Sequence, residues 1–175
     1  EAARETRGKK SLFFCQSRSL TEAVADEMRN DSIEVFVHHG SVSKEERRAA
    51  EEKFAQGTNA CIVATSTLEL GIDVGGLDLT FQANAPSTVS SFLQRMGRTG
   101  RREGTVANMT FLCEDAVSVV QNIALVQLAS RGWVESVKDE TRAWPVLVHQ
   151  LLALTHAHGG ISTERCWQLL HKVPD

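Results

Sequence analysis

No apolar run in this 175-residue chain is long enough to cross a bilayer, and no signal-peptide pattern opens it, so a membrane role is set aside. There is no initiator methionine, and the chain is expected to be an excised piece of something longer. Its four cysteines (Cys15, Cys61, Cys113 and Cys166) never form a Cys-x-x-Cys pair. Three lie in or beside apolar strand-like runs, which suits buried free thiols in a reducing, cytoplasmic setting rather than metal ligands or disulfides. A Gly-x-x-x-x-Gly-Lys-[Ser/Thr] phosphate loop is missing. Gly8-Lys9-Lys10-Ser11 imitates its end, but no strand precedes it. No Asp-Glu pair follows an apolar strand, so an acidic magnesium-holding motif is missing too. The formal net charge of -3 excludes a coat of basic charge for nonspecific DNA binding; any nucleic-acid contact must be local.

What is present is a globular composition, 42% hydrophobic and 23% charged, sufficient for one full core and a small second one. After a charged, aperiodic lead-in (Glu1 to Lys10, expected to fray), apolar runs alternate with helical patterns. Strands are expected at Ser11 to Cys15, Ile33 to Val37, Cys61 to Ala64, Leu77 to Phe81 and Val106 to Leu112. Ser19-x-x-Glu22 and Ser43-x-x-Glu46 read as capping boxes, the second opening a polar helix that Gly57 stops. Ala116 to Ala129 reads as a long helix with Val117, Val120, Ile123, Ala124 and Val126 on its apolar side. Continuously apolar strands alternating with helices imply an α/β fold, a parallel sheet covered on both faces.

After Gly132 the pattern changes. Trp133 to Val137 suggests a short strand and Asp139 to Arg142 a polar linker. A helix with Pro145 in its first turn follows, then Gly159-Gly160, then a last helix capped by Ser162. Two short helices across a glycine turn suit either an incomplete helix-turn-helix or winged-helix unit or a helical hairpin packed on the sheet.

The densest cationic stretch is Gln94 to Arg102, with four arginines in nine residues and no acid. Val89, Phe92, Leu93 and Met96 run just ahead at helical spacing, so one side of a helix is anchored while guanidiniums leave its far end. A solvated basic helix end, favoured by the dipole, is the plainer explanation. The two-glycine spacing favours forks that bind polyanionic oxygens.

Ligands of doubly wound sheets sit at the carboxyl ends of strands. Those ends carry Gln16-Ser17-Arg18, His39-Gly40-Ser41, Thr65-Ser66-Thr67 and Ala83-Asn84, groups suited to a sugar-phosphate backbone. Each hydroxyl could equally cap the next helix. His38-His39 is an unlikely metal pair because neighbouring strand residues point to opposite faces. Asp73 either closes a turn or accepts from ribose hydroxyls. Arginines suited to a phosphate, in a chain with no phosphate loop, imply a site shared with a neighbour that holds the nucleotide.

Four segments carry a family resemblance. Gln94-Arg95-x-Gly97-Arg98-x-Gly100-Arg101 resembles motif VI of superfamily 2 helicases, and Ala64 to Asp73 resembles motif V. Phe14-Cys15-Gln16-Ser17-Arg18 is similar to motif IV, and His39-Gly40-Ser41 to the His-Gly turn after the second strand. Gln94 stands where DEAD-box enzymes usually carry His and Ser66 where they usually carry Asp, which moves the weight toward DExH-type translocases. Thr67 to Val74, Ala85 to Val89 and Trp144 to Val148 most resemble Lhr, the large helicase-related proteins.

The resemblance implies a second RecA-like motor domain over residues 1–138 and the start of a winged helix over 139–175. It implies an ATP-driven translocase moving 3′ to 5′ on single-stranded DNA and separating DNA:DNA or RNA:DNA duplexes. ATP and Mg²⁺ would be held mainly by a first RecA-like domain of the same parent, leaving this chain alone inactive. Arg98 and Arg101 would reach the γ-phosphate, with Gln94 orienting groups around it. Gly71 and Asp73 would meet the ribose side. Ser17, Arg18, His39, Thr65 and Ser66 would hold the tracking strand. An RNA helicase of the same superfamily and a nucleic-acid-binding module without motor function stay open as alternatives.

Overall fold

The short apolar runs pair side by side in a computed structural model that describes residues 1–31, 33–69, 76–136 and 143–171. Five strands, β1 (Lys10–Phe14), β2 (Glu34–His38), β3 (Ala60–Ala64), β4 (Leu79–Ala83) and β5 (Thr110–Leu112), form one parallel sheet in the order β2-β3-β1-β4-β5. The helices are α1 (Ala2–Thr6), α2 (Arg18–Arg29), α3 (Lys44–Gln56), α4 (Val89–Met96), α5 (Ala116–Ser130), α6 (Trp144–Ala157) and α7 (Thr163–Leu170). This is the RecA-like arrangement expected from the alternating pattern.

The chain runs from β1 outward to β2 and back to β3, so two crossovers of one hand must lie on opposite faces. They do. Phe13 and Cys15 share a core with Ala25 and Met28 of α2, whereas Leu12 and Phe14 share the other with Phe54 of α3. Alternation along β1 thus serves both cores at once. Phe36 meets Phe54 edge to face at 6.4 Å.

Several local expectations are corrected. The lead-in is not frayed: α1 buries Ala2 and Ala3 in the core of the α2 face, and the Thr6 hydroxyl lies 2.7 Å from that of Ser11. The cap of α2 is Ser17 rather than Ser19; its Oγ accepts from the Leu20 N–H at 3.2 Å, so the helix opens two residues early. Ser43 and Glu46 do form the reciprocal capping box, and Gly57 does end α3. The fifth strand is only three residues long, because Asn108 attaches to β4 through its side chain. Its Oδ1 accepts from the Thr80 N–H and its Nδ2 donates to the Asp78 carbonyl. No strand forms at 133–136; Val137 and the 139–142 linker lie outside the described residues.

The largest departure is α5. Ser118 and Asn122 turn inward, while Val117, Val120, Ile123, Ala124 and Val126, assigned to the core by hydropathy, are exposed, Val117 by 66%. A helix apolar all round takes no orientation from hydropathy. Polar bonds set it: Asp115 accepts from the Ser118 N–H at 2.7 Å, and Asn122 donates to Cys113 Sγ at 3.2 Å. Cys113 is accordingly half-buried. Cys15 and Cys61 are buried, and burial pushes their thiols up to about 11 and about 12.

The chain divides into two units, Glu1–Glu135 and Ser136–Asp175, and the sheet belongs wholly to the first. In the second, Pro145 opens α6, Gly159 and Gly160 take positive φ after it, and Ser162 caps α7. No residue of α6 or α7 is fully buried.

Phe54→Ala empties a fully buried site between α3 and the sheet. Urea unfolding should show a loss of about 3–5 kcal/mol.

Candidate functional site

The carboxyl ends of β1, β3 and β4 open onto a groove of about 770 Å³. It lies where the strand order turns back on itself, between β1 and its two neighbours. Gln16 spans the ends of β1 and β4, its Nε2 donating to the Ala85 carbonyl at 2.6 Å. Thr65 and Ser66 come from the turn after β3, Ser91 and Arg95 from α4, and Leu125 from α5.

Of the residues expected to hold a strand, Ser17, Arg18 and Ser66 are exposed and Thr65 is half-exposed. Arg18 donates to the Ser41 hydroxyl, which ties the ends of β1 and β2 together. His39 is placed differently from expectation. It is 5% exposed, its Nδ1 accepts from the Ser41 N–H at 3.3 Å, and its Nε2 donates to Glu22 at 2.8 Å. Both nitrogens are engaged within the domain, so the imidazole shapes the turn and leaves Ser41 and Arg18 facing outward. His38 points to the other face, as neighbouring strand residues must, and its ring meets Glu51 of α3 and the Thr67 hydroxyl, each at 2.9 Å.

The four arginines separate into distinct environments. Arg95 is 6% exposed and lies over the Phe14 ring at 4.9 Å from its centroid. Its Nε donates to Glu69 Oε1 at 2.7 Å, Nη2 donates to the same oxygen, and Nη1 donates to Gln82 Oε1. Arg98 is also buried, with Nη2 donating to the Glu69 backbone carbonyl. Burial, then the nearby charge of Arg101, lowers its proton affinity. Arg101 is exposed and donates through Nε to the Gly97 carbonyl at 3.0 Å; among the described residues no acid pairs with it. Arg102 pairs with Asp78. Gln94 is half-buried and reaches Ser90 at 3.3 Å. Gly71 and Asp73 lie outside the described residues.

The loop bearing Arg98 and Arg101 is fixed from below. Gly100 has φ +72°, and a Cβ there would stand 2.3 Å from the Ala107 nitrogen, so only glycine fits. Thr99 and Asn108 exchange bonds at 3.0 and 2.8 Å. At the other end of α4, the Glu135 carboxylate accepts from the N–H groups of Val89 and Ser90 at 2.7 and 3.0 Å. Those bonds, the Val89 one foremost, hold its carboxyl below the usual range.

Two features escaped sequence reasoning. Arg95 follows Phe92 by three positions and Val89 by six, so it falls on the buried side of α4; that spacing was the available signal. Glu69, half-buried at the end of a mixed stretch, carried none. Among the described residues, no three His, Cys, Asp or Glu side chains stand close enough to hold a metal ion, and no helix is long and apolar enough to cross a membrane.

A parallel sheet of this order, with paired arginines after α4 and hydroxyls at the strand ends, defines the second lobe of a helicase motor. Residues 1–103 match the helicase conserved C-terminal domain. The chain is 39% identical over 128 residues to the Lhr helicase/uracil glycosylase of Escherichia coli, covering 71% of this chain and 8% of that protein. It is 32% identical over 162 residues to the ATP-dependent helicase Lhr-Core of Methanocaldococcus jannaschii, covering 92% and 18%. The solved structure of Mycobacterium smegmatis helicase Lhr bound to ssDNA and AMP-PNP superposes with a TM-score of 0.75 at 31% identity, over 87% of this chain and 21% of that one. The chain belongs to the helicase C-terminal domain family, in the Lhr branch of superfamily 2. It spans less than a quarter of the length of these relatives.

Burial holds the His38 imidazole below its ordinary 6.5, against the opposing pull of Glu51 and with a smaller push from Arg47. The folded form therefore binds fewer protons than the unfolded one, and stability should be complete above pH 6.5 and fall on acidification. Urea midpoints measured from about pH 7 to about pH 5 should decline, and His38→Gln should flatten that slope. The depressed carboxyls of Glu46, Asp115 and Glu135 give up their contributions only lower, below ordinary values of 4.5, 3.8 and 4.5.

Proposed function

We propose that this chain is half of an ATP-dependent translocase that moves 3′ to 5′ on single-stranded DNA and separates DNA:DNA or RNA:DNA duplexes. The observation that carries the reading is the pairing of Arg98 and Arg101. One is buried and tied to the Glu69 carbonyl, the other is exposed, and they are close enough for the charge of Arg101 to act on Arg98. Two like charges held together are relieved by an anion, and guanidinium forks suit phosphate oxygens.

In this reading ATP is the substrate, held with Mg²⁺ by the first RecA-like domain of the parent chain, and its γ-phosphoryl transfer to water drives movement. Arg98 and Arg101 neutralise charge that develops on the transferring group. Gln94, at the last turn of α4, orients groups beside them, and Gly71 and Asp73 meet the ribose side. Ser17, Arg18, Thr65 and Ser66 hold strand phosphates, and His39 contributes by fixing the turn that carries Ser41. Because guanidiniums and strand contacts ride on one rigid sheet, closure toward the partner lobe carries the gripped strand with it. The single-stranded DNA in the Mycobacterium smegmatis Lhr structure supports that choice of strand.

The division of the chain after Glu135 supports a motor domain ending near residue 138, with 139–175 opening a winged helix. Two helices across the Gly159-Gly160 turn fit that beginning.

Arg101→Ala in the full-length parent should lower ATP hydrolysis by about 10³-fold or more while strand binding, followed by fluorescence anisotropy, stays largely intact. Near-normal turnover would overturn the reading. The 175-residue chain by itself should hydrolyse no ATP above a buffer blank. Stimulation of the parent by RNA in preference to single-stranded DNA would instead favour the RNA-helicase alternative.

A further inference from the structure

One residue touches both halves of the proposed machinery. The Glu69 carboxylate, its side chain 13% exposed, takes two bonds from Arg95 and a third from the Ser91 hydroxyl at 3.4 Å. Its N–H donates to the Ser66 carbonyl at 3.0 Å, and its own carbonyl accepts from Arg98. Between Ser66, in the turn at the strand ends, and the Arg98 guanidinium there are two hydrogen bonds, both made by the Glu69 backbone. The carboxylate does not face a ligand; it is clamped to α4 by a buried cation that also rests on Phe14 and Gln82.

We propose that Glu69 is a positioning residue that links the strand-holding turn to the Arg98 guanidinium, so that a shift of that turn on strand binding is passed to Arg98. This rests on the translocase reading above. The physical case is one of constraint. With its side chain fixed by Arg95, Glu69 cannot rotate independently of α4, so movement at Ser66 is delivered to the carbonyl that Arg98 holds. Were the carboxylate released, the turn could adjust to a strand locally while Arg98 kept its place. Glu69 thus sets how strongly the two sites sense each other, rather than how tightly either binds.

The test uses the full-length parent and single-stranded DNA, with strand affinity measured with and without a non-hydrolysable ATP analogue, and strand stimulation of hydrolysis as a second readout. In Glu69→Gln, the ratio of the two affinities and the stimulation should each shrink about tenfold, while affinity without the analogue changes by about twofold at most. Removing one partner of a buried ion pair can unfold a domain, whereas replacing both is often tolerated. The Glu69→Gln/Arg95→Met double variant should therefore melt near the parent temperature and remain uncoupled. Parental coupling in either folded variant would overturn the proposal, as would a double variant that recovers coupling together with stability. If affinity without the analogue falls as far as the coupling does, Glu69 is a strand-binding residue and the proposal fails. A parent that shows no coupling at all would remove the translocase reading as well; coupling in the parent that Glu69→Gln leaves intact removes only this inference.

Discussion

A guanidinium buried against one face of the sheet sets the terms for everything around it. Arg95 gives up its hydration and lies over an aromatic ring, which is tolerable only because a carboxylate and an amide oxygen meet its donors. That requirement draws the segment after β3 against α4 and brings Gln82 of β4 into the same cluster. Three elements far apart in sequence are thereby held in one arrangement by polar bonds, where a purely apolar core would allow them to slide. The loop that follows inherits this rigidity and is tightened further by Gly100 packing on Ala107.

Topology does the remaining work of assembly. A parallel sheet places the carboxyl ends of all strands along one edge, and the reversal of strand order at β1 leaves a crevice there. Into it come short polar residues that no core position would accept. His38 and His39 show how economically the edge is organised. Consecutive residues leave the strand on opposite sides, one bonding to α3 and the other to α2, so a single dipeptide anchors both layers beside the candidate site.

Much of this was readable in advance, for identifiable reasons. Period and β-branched content revealed the strands, and the Ser43–Glu46 box appeared as its spacing dictated. The arginine segment stood out because cations clustered between glycines at the end of an amphipathic helix. Hydropathy misled where polar bonds decided the outcome. Ser118 and Asn122 faced inward to satisfy local partners, and the valines of α5 were left outside. Asn108 replaced two residues' worth of ladder with one side chain. Ala2 and Ala3 looked like part of a charged tail because alanine carries little hydropathic signal, yet small residues pack closely enough to be buried. The Arg95–Glu69 contact could not be seen in the linear order at all, since it depends on which helix face reaches which loop.

The outward valines and isoleucine of α5 have a practical corollary. Molecules carrying a greasy stripe tend to find one another, and the tendency rises with crowding. A preparation of this lobe by itself is therefore prone to clumping as it is concentrated, even with every fold-determining bond intact. Solubility of the separated piece and soundness of its architecture are two different properties here, and a turbid tube says nothing against the second.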